Sequence, residues 1–292
     1  MAVVTAGWTQ VTARVVRQNP HGEGHRWLDL EVPRTFEPPA PGQFVQLLLG
    51  PTASPALLPR PMSVASCRRT RGGLELGFLY APVGTGTQAL AALESGARLE
   101  LLGPLGHGFP LDRPGTPVLV AGGRGVAPLL FAADALARAR RRCELLFGAR
   151  GRAQLVGLRE ARARLATLGG RLHLCTDDGS VGVRGHVVAL LERVAARLEA
   201  PLVVHACGPH GMLKAVARWG LARGVPCHLA MESIMACGTG VCRGCPLPRA
   251  PRARAAFRRD RTPSLYGNEE WAMCCTEGPV FEAAALDWER IE

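Results

Sequence analysis

Four cysteines carry the clearest chemistry in this 292-residue chain. Cys237, Cys242 and Cys245 follow the pattern Cys-x4-Cys-x2-Cys, and Cys275 comes after 29 intervening residues. This is the plant-type 2Fe-2S spacing, in which one loop wraps a cluster and presents three thiolates while backbone N–H groups point at its sulfurs. Gly238, Gly240 and Gly244 suit such a loop, because glycine adopts positive φ at little cost. A structural zinc site and buried free thiols are the competing readings, but zinc sites usually draw their ligands from two close couples, which this spacing lacks. Of the adjacent Cys274 and Cys275 only one thiolate can face a cluster if the segment is extended.

A second chemical signal is the turn Ala121-Gly-Gly-Arg-Gly-Val-Ala-Pro128, between an apolar strand and a helix. Gly122, Gly123 and Gly125 would let the backbone approach a pyrophosphate at the helix's positive end. The same residues could simply make a tight connection. Cys207-Gly208-Pro209 ends a later strand at the carboxyl edge of the same sheet, and Cys207 reads equally well as a cleft residue or a core thiol. A third signal is Arg60-Pro61-Met62-Ser63, where an Arg can hold a diphosphate bidentately and a Ser hydroxyl can reach a flavin ring edge. Gly84-Thr85-Gly86-Thr87, at an expected helix start, offers further N–H and hydroxyl donors.

The elements that must position these residues fall into three groups. Residues 1–113 read as short strands (Val11–Val16, Trp27–Val32, Phe44–Leu49, Met62–Ser66, Leu74–Tyr80, Arg98–Leu102) with one helix near Thr87–Leu93, which predicts an antiparallel barrel. Residues 114–230 alternate apolar strands with helices, the mark of parallel βα units in a doubly wound sheet. Residues 231–292, rich in Cys, Gly, Pro and Arg and with little periodicity, read as a small domain organised around a metal centre. The fold class is therefore β barrel plus α/β.

The net charge of +11 comes almost wholly from Arg, since Lys214 is the only Lys. These arginines are scattered and few aromatics interleave them, which argues against nucleic acid as a partner. No stretch approaches the roughly 20 apolar residues of a membrane span, and residues 1–12 lack a secretory pattern, so the expectation is a cytoplasmic protein with no membrane contact.

These motifs occur in one order together with Gly103-Pro-Leu-Gly-His-Gly-Phe109, Thr176-Asp-Asp-Gly-Ser180, Cys207-Gly-Pro-x-Gly-Met212, Met235-Ala-Cys237 and Gly278-Pro-Val-Phe281. The whole resembles the electron-transfer subunit of the NAD-linked (type 1B) dihydroorotate dehydrogenases, within the ferredoxin reductase superfamily. The resemblance implies FAD on the barrel, NAD (or NADP) on the central sheet, a 2Fe-2S cluster near the C-terminus, and an FMN-containing catalytic partner subunit in a heterotetramer. It places Arg60, Ser63, Gly86 and Thr87 at FAD, and Gly122, Gly123 and Gly125 under the nicotinamide nucleotide. Cys237, Cys242, Cys245 and Cys275 would be the cluster ligands, Cys275 standing before Gly278-Pro-Val-Phe with Thr276 and Glu277 between. The same motifs add Pro61, Met62, Tyr80, Gly84, Cys207 and Gly208 as cofactor contacts.

Two features depart from the pattern. Ala81 stands where an Arg usually follows the Tyr, and Pro246–Cys274 is a long, strongly basic segment expected to be a disordered, solvated insertion. Arg150 and Arg152 follow the second strand of the nucleotide unit, where a 2′-phosphate could lie. The small subunit of a flavin-based NAD(P)H-ferredoxin or sulfide-type oxidoreductase shares this architecture, and a zinc-binding scaffold is the rival of another class. No side chain is expected to act as an acid or base on a substrate.

Overall fold

Alternating burial builds the first unit of the computed structural model, which describes residues 7–50, 58–199, 201–260 and 268–291. Its strands are β1 (Thr9–Pro20), β2 (Arg26–Pro33), β3 (Phe44–Leu48), β4 (Arg60–Ser63), β5 (Ser66–Arg69) and β6 (Gly73–Tyr80), followed by helix α1 (Thr85–Ala91) and strand β7 (Arg98–Leu105). Along β7 every second residue, Leu99, Leu101, Gly103 and Leu105, is buried. The sheet runs antiparallel in the order β4-β3-β7-β1-β2-β6-β5. It is the antiparallel barrel expected, in the form of a half-barrel, with β4 and β5 at the two ends of the strand order. The strand expected over Met62–Ser66 divides into β4 and β5, leaving Arg60-Pro-Met-Ser on an edge where Pro61 costs no ladder bond. Leu28, Leu30, Leu47, Leu76, Phe78 and Leu101 are fully buried inside.

The second unit contains β8 (Thr116–Gly122), α2 (Val126–Arg138), β9 (Glu144–Ala149), α3 (Leu158–Leu168), β10 (Arg171–Thr176), β11 (Val183–Arg184), α4 (Val187–Ala195), β12 (Leu202–Cys207), α5 (His210–Arg223) and β13 (Cys227–Ala230). Strands β8, β9 and β12 are near-continuous apolar runs, as strands covered on both faces must be. Residues Val126–Ala133 of α2 are all buried, and Phe131 packs into the half-barrel core, so α2 is wedged between the two units.

The rest comprises β14 (Pro246–Pro248), α6 (Pro251–Asp260), β15 (Trp271–Met273), α7 (Cys274–Glu277) and β16 (Val280–Glu282). The basic segment is thus not the disordered insertion that its composition suggested. It forms β14, α6 and β15, with β14 and β15 paired antiparallel, while 261–267 lie outside the described residues. Strand β16 adds antiparallel to β13, giving the order β11-β10-β9-β8-β12-β13-β16 with the other pairs parallel. No helix of the described residues is long and apolar enough to cross a membrane.

On β12 and β13, His205 and His228 stand opposite each other with rings stacked 5.5 Å apart, and Phe109 meets His205 edge-on. His205 Nδ1 and His228 Nε2 have no hydrogen-bond partner. Burial, aided by His228 and Arg141, pushes His205 down to about 3. Burial also lowers His228, against Glu282 and with Arg113. Both rings are therefore neutral in the folded chain and protonated after unfolding in mild acid. The stability they allow is complete above the unfolded value near 6.5 and is lost as pH falls from there towards the folded values. Urea unfolding should show stability declining below pH 6.5 by up to about 1.4 kcal/mol per pH unit for His205 alone. His205→Phe should flatten that slope.

Candidate functional site

Two adjoining clefts gather the predicted residues. The first, of about 870 Å³, lies at the carboxyl ends of β8, β9 and β12 and is lined by Gly122, Gly123, Gly125, Gly148, Arg150, Asp177, Gly208 and Met212, among others. The second, of about 280 Å³, is lined by Pro61, Met62, Ser63, Tyr80 and Thr87 from the half-barrel, Cys207 from β12, and Met231, Met235 and Pro279 from the last part of the chain. Arg124, Gly125 and Glu232 line both.

The glycines of the βα turn are required for different reasons. Gly123 has φ +52 and faces open space, so it can bring bare backbone to a ligand. A Cβ on Gly122 would lie 2.6 Å from Met212 Sδ, and one on Gly208 2.6 Å from Met212 Cε, so these two make room for the methionine rather than for phosphate alone. A Cβ on Gly125 would lie 2.2 Å from the Cys207 carbonyl oxygen, so Gly125 lets α2 start against the end of β12. Cys207 is buried, and burial pushes its thiol well up, leaving it neutral beside the second cleft. Arg150 lines the first cleft, whereas Arg152 is engaged by Ser180 through its backbone N–H (2.9 Å) and its guanidinium (2.9 Å). Asp177, also on the lining, pairs with His186 at 3.1 Å.

Arg60 does not line the second cleft directly. Its guanidinium crosses Gly86, where a Cβ would lie 2.6 Å from Nε. One of its Nη atoms donates to the Leu58 carbonyl at 2.7 Å, while the buried Nε has no partner, a donor left over for a ligand. Thr87 and Gly84 close the start of α1: the Gly84 N–H donates to Thr87 Oγ1 and the hydroxyl returns to the Gly84 carbonyl, each at 3.0 Å. The other end of α1 is held by Gln18, whose amide donates to the carbonyls of Leu90 (3.2 Å), Ala91 (3.3 Å) and Leu93 (3.0 Å). The Tyr80 hydroxyl donates to the same Gln18, and burial pushes it up to about 12. Neither Gln18 nor Glu232 belongs to a motif that marks it in the sequence.

The four cysteines form two pairs. Cys237 and Cys242 have sulfurs 3.3 Å apart near the surface, and the buried Cys245 and Cys275 thiols contact each other. Among the described residues no three His, Cys, Asp or Glu side chains converge as one metal ion would require. Backbone N–H groups point at the sulfurs: those of Thr239 (3.4 Å) and Cys242 (3.5 Å) at Cys237, Gly244 (3.4 Å) at Cys242, and Cys275 (3.4 Å) at Cys245. Although burial raises the Cys237 thiol, the N–H donors of Cys242 and Thr239 outweigh it and bring the group down to about 6. The Cys275 thiol, against burial, brings Cys245 down to about 7. Gly238 and Gly240 take positive φ as expected, but the third left-handed residue is Arg243 (φ 55), not Gly244. Cys274 and Cys275 lie in the helical turn α7, not in an extended segment, yet they still diverge, since successive helical residues point about 100° apart. The Cys274 thiol turns to the Met231 carbonyl at 3.8 Å, while its backbone N–H donates to the Cys245 carbonyl at 2.9 Å.

Comparison with known proteins gives the fold and the family. The oxidoreductase NAD-binding domain family matches residues 119–218. A solved NADH-dependent reduced ferredoxin-NADP oxidoreductase superposes with TM-score 0.77 at 24% identity, covering 94% of this chain and 90% of that one. The cytochrome P450 reductase of Amycolatopsis superposes with TM-score 0.60 at 29% identity, covering 75% of this chain and 68% of that one. Half-barrel, nucleotide sheet and clefts thus define an oxidoreductase of the ferredoxin-reductase type. The dihydroorotate dehydrogenase B (NAD(+)) electron transfer subunit of Desulforamulus reducens is 31% identical over 90% of this chain and 92% of its own length, and that of Geobacillus thermodenitrificans 35% identical over 84% and 86%. The chain belongs to the family of dihydroorotate dehydrogenase B electron transfer subunits.

The contact beneath Gly125 gives a direct test of how the clefts are built. Gly125→Ala should cost about 1–3 kcal/mol in thermal or denaturant unfolding, as overpacking does, and should raise the KM for NADH, since α2 must leave the end of β12.

Proposed function

We propose that the chain links an FMN-bearing, dihydroorotate-oxidising partner subunit to NAD, using a 2Fe-2S cluster on Cys237, Cys242, Cys245 and Cys275 and FAD in the second cleft. The observation that carries this reading is the second cleft itself. All three parts of the chain line it, it shares Arg124, Gly125 and Glu232 with the nucleotide cleft, and it reaches Met235, two residues before Cys237. FAD, when bound, converts between the electron pair of a hydride and the single electrons a 2Fe-2S cluster handles.

The chain's own residues supply binding and orientation. The unpartnered Arg60 Nε and the start of α1 are donors for a diphosphate, with Gln18 holding the far end of that helix. Pro61, Met62, Ser63 and Tyr80 form the ring-side wall and Cys207 its far side. Gly123 offers bare backbone to the nicotinamide dinucleotide, and NAD is the nucleotide named for the relatives. In the C-terminal segment the N–H groups that stabilise the thiolates can equally serve ligand sulfurs on a cluster. Two pairs of thiols suit two irons better than one zinc ion, which favours this reading over a zinc-binding scaffold. Exposed Cys242, next to exposed Val241 in the chain, is the edge a partner's FMN would approach. The ferredoxin-NADP oxidoreductase reading has a likeness of fold alone behind it.

The full chain, purified with FAD and iron, should reduce artificial acceptors with NADH and leave dihydroorotate untouched until the catalytic subunit is added. Dihydroorotate turnover by the chain alone would overturn the reading. In the same preparation Cys275→Ser should abolish or distort the paramagnetic resonance signal of the reduced cluster, while Cys274→Ser should leave it intact. The reverse pattern would move the fourth ligand to Cys274.

A further inference from the structure

The basic segment after Cys245 has a role that its composition hides. We infer that Arg249 is a positioning residue for the fourth cysteine: its guanidinium fixes Glu277, and through Glu277 the turn α7 on which Cys275 sits. The inference rests on the cluster reading above.

Arg249 follows β14, and its backbone N–H donates to the Glu270 carbonyl at 2.9 Å. Its side chain is only 11% exposed. Nε donates to the Asn268 carbonyl at 2.8 Å, Nη2 is ion-paired with Glu277 Oε2, and the ring of Phe257 in α6 lies 4.8 Å from the guanidinium carbon. The second oxygen of Glu277 accepts the Met273 N–H at 2.9 Å, so one carboxylate joins Arg249 to the start of α7. A helix of four residues cannot hold itself, because nucleation costs more than one turn returns. The restraint must come from outside: the Cys274 N–H donates to the Cys245 carbonyl at 2.9 Å, and Arg249 with Glu277 supplies the ionic part. On that turn the Cys275 N–H points at Cys245 Sγ, so any shift of α7 moves a thiol and a donor together.

The pair also sets charge. Glu277 is two residues from Cys275, beside a centre that four thiolates make negative, and potentials of such centres follow local net charge. Arg249 offsets the carboxylate. Among the described residues Arg254 does not take its place: it is turned inward, donating to the Arg249 carbonyl at 3.0 Å and lying within 4 Å of Glu270 (3.8 Å) and Asp287 (3.9 Å).

The test uses the full chain as Arg249→Met, Glu277→Gln and the double variant, with iron and acid-labile sulfide per chain, release of iron to a chelator, and the cluster midpoint potential as readouts. Arg249→Met should release iron roughly tenfold faster, the lower end for losing an outer partner of a metal ligand, and should lower the potential. Glu277→Gln should raise the potential, and the double variant should return it close to wild type. A purely structural role would not give shifts of opposite sign. Unchanged retention and potential in Arg249→Met, or shifts of the same sign in both single variants, would overturn the inference. Should Arg249→Met fail to fold, the near-isosteric Glu277→Gln decides: a raised potential supports the inference and an unchanged one refutes it. Wild-type chain that binds no iron would instead remove the cluster reading on which it stands.

Discussion

The close approach of Gly106 and His107 to Gly278 and Pro279 is the contact on which the rest of the arrangement depends. The His107 N–H donates to the Gly278 carbonyl at 2.6 Å, and a Cβ on Gly106 would lie 2.5 Å from that oxygen and 2.6 Å from Pro279 Cδ. Gln43 holds the Gly106 carbonyl at 2.7 Å, and the Met231 N–H takes the Pro279 carbonyl at 2.8 Å. The end of β7, the chain leaving α7 and the chain leaving β13 are thereby tied at one place, after which β16 completes the sheet. Unpaired backbone there would cost roughly 1–3 kcal/mol per buried group, so the junction is well determined. It explains why Gly103-Pro-Leu-Gly-His-Gly-Phe109 and Gly278-Pro-Val-Phe281 occur together: the two motifs touch.

From this junction one apolar core runs from Phe44 and Leu105 of the half-barrel through Val204 and Leu229 of the nucleotide sheet to Cys245, Cys275 and Phe281. Gln46 links the half-barrel to the cysteine loop directly. It is fully buried, its amide donates to the Met235 carbonyl at 3.3 Å, and Gly238 leaves out a Cβ that would lie 2.8 Å from Gln46 Cγ. The cleft wall at Met235 and the loop starting at Cys237 are therefore held by the same side chain. A rigid scaffold of this kind keeps carriers at fixed separations, which is the protein's main contribution to electron transfer.

What could be read from the sequence was what chemistry spaces along the chain. The glycine turn and the alternation of strand with helix each lie within a short window and reappear in the structure, whereas the cysteines gather there as two pairs. Gln18, Gln46, Glu232 and Arg249 were not legible, because they act on residues distant in sequence: Gln46 is 189 positions from Met235 and Gln18 is 72 from Leu90. The segment from Pro246 was misread because its arginines look solvated by composition, whereas Arg249 and Arg254 meet carboxylates at Glu277 and Asp287 beyond it. Helix α7 is too short to show a period, and so the divergence of Cys274 and Cys275 was expected for the wrong backbone.

The central claim of the proposed function is that FAD, bound in the cleft that joins nucleotide sheet and cysteine loop, would be the only route between NADH and a cluster on the four cysteines. Anaerobic mixing with NADH, followed by visible absorption and by paramagnetic resonance on frozen samples, tests it in chain stripped of FAD and in chain with FAD restored. The account predicts that the cluster signal stays silent without FAD and, with FAD, rises only after the flavin absorption has fallen. A cluster reduced by NADH without FAD, or ahead of the flavin, would contradict it.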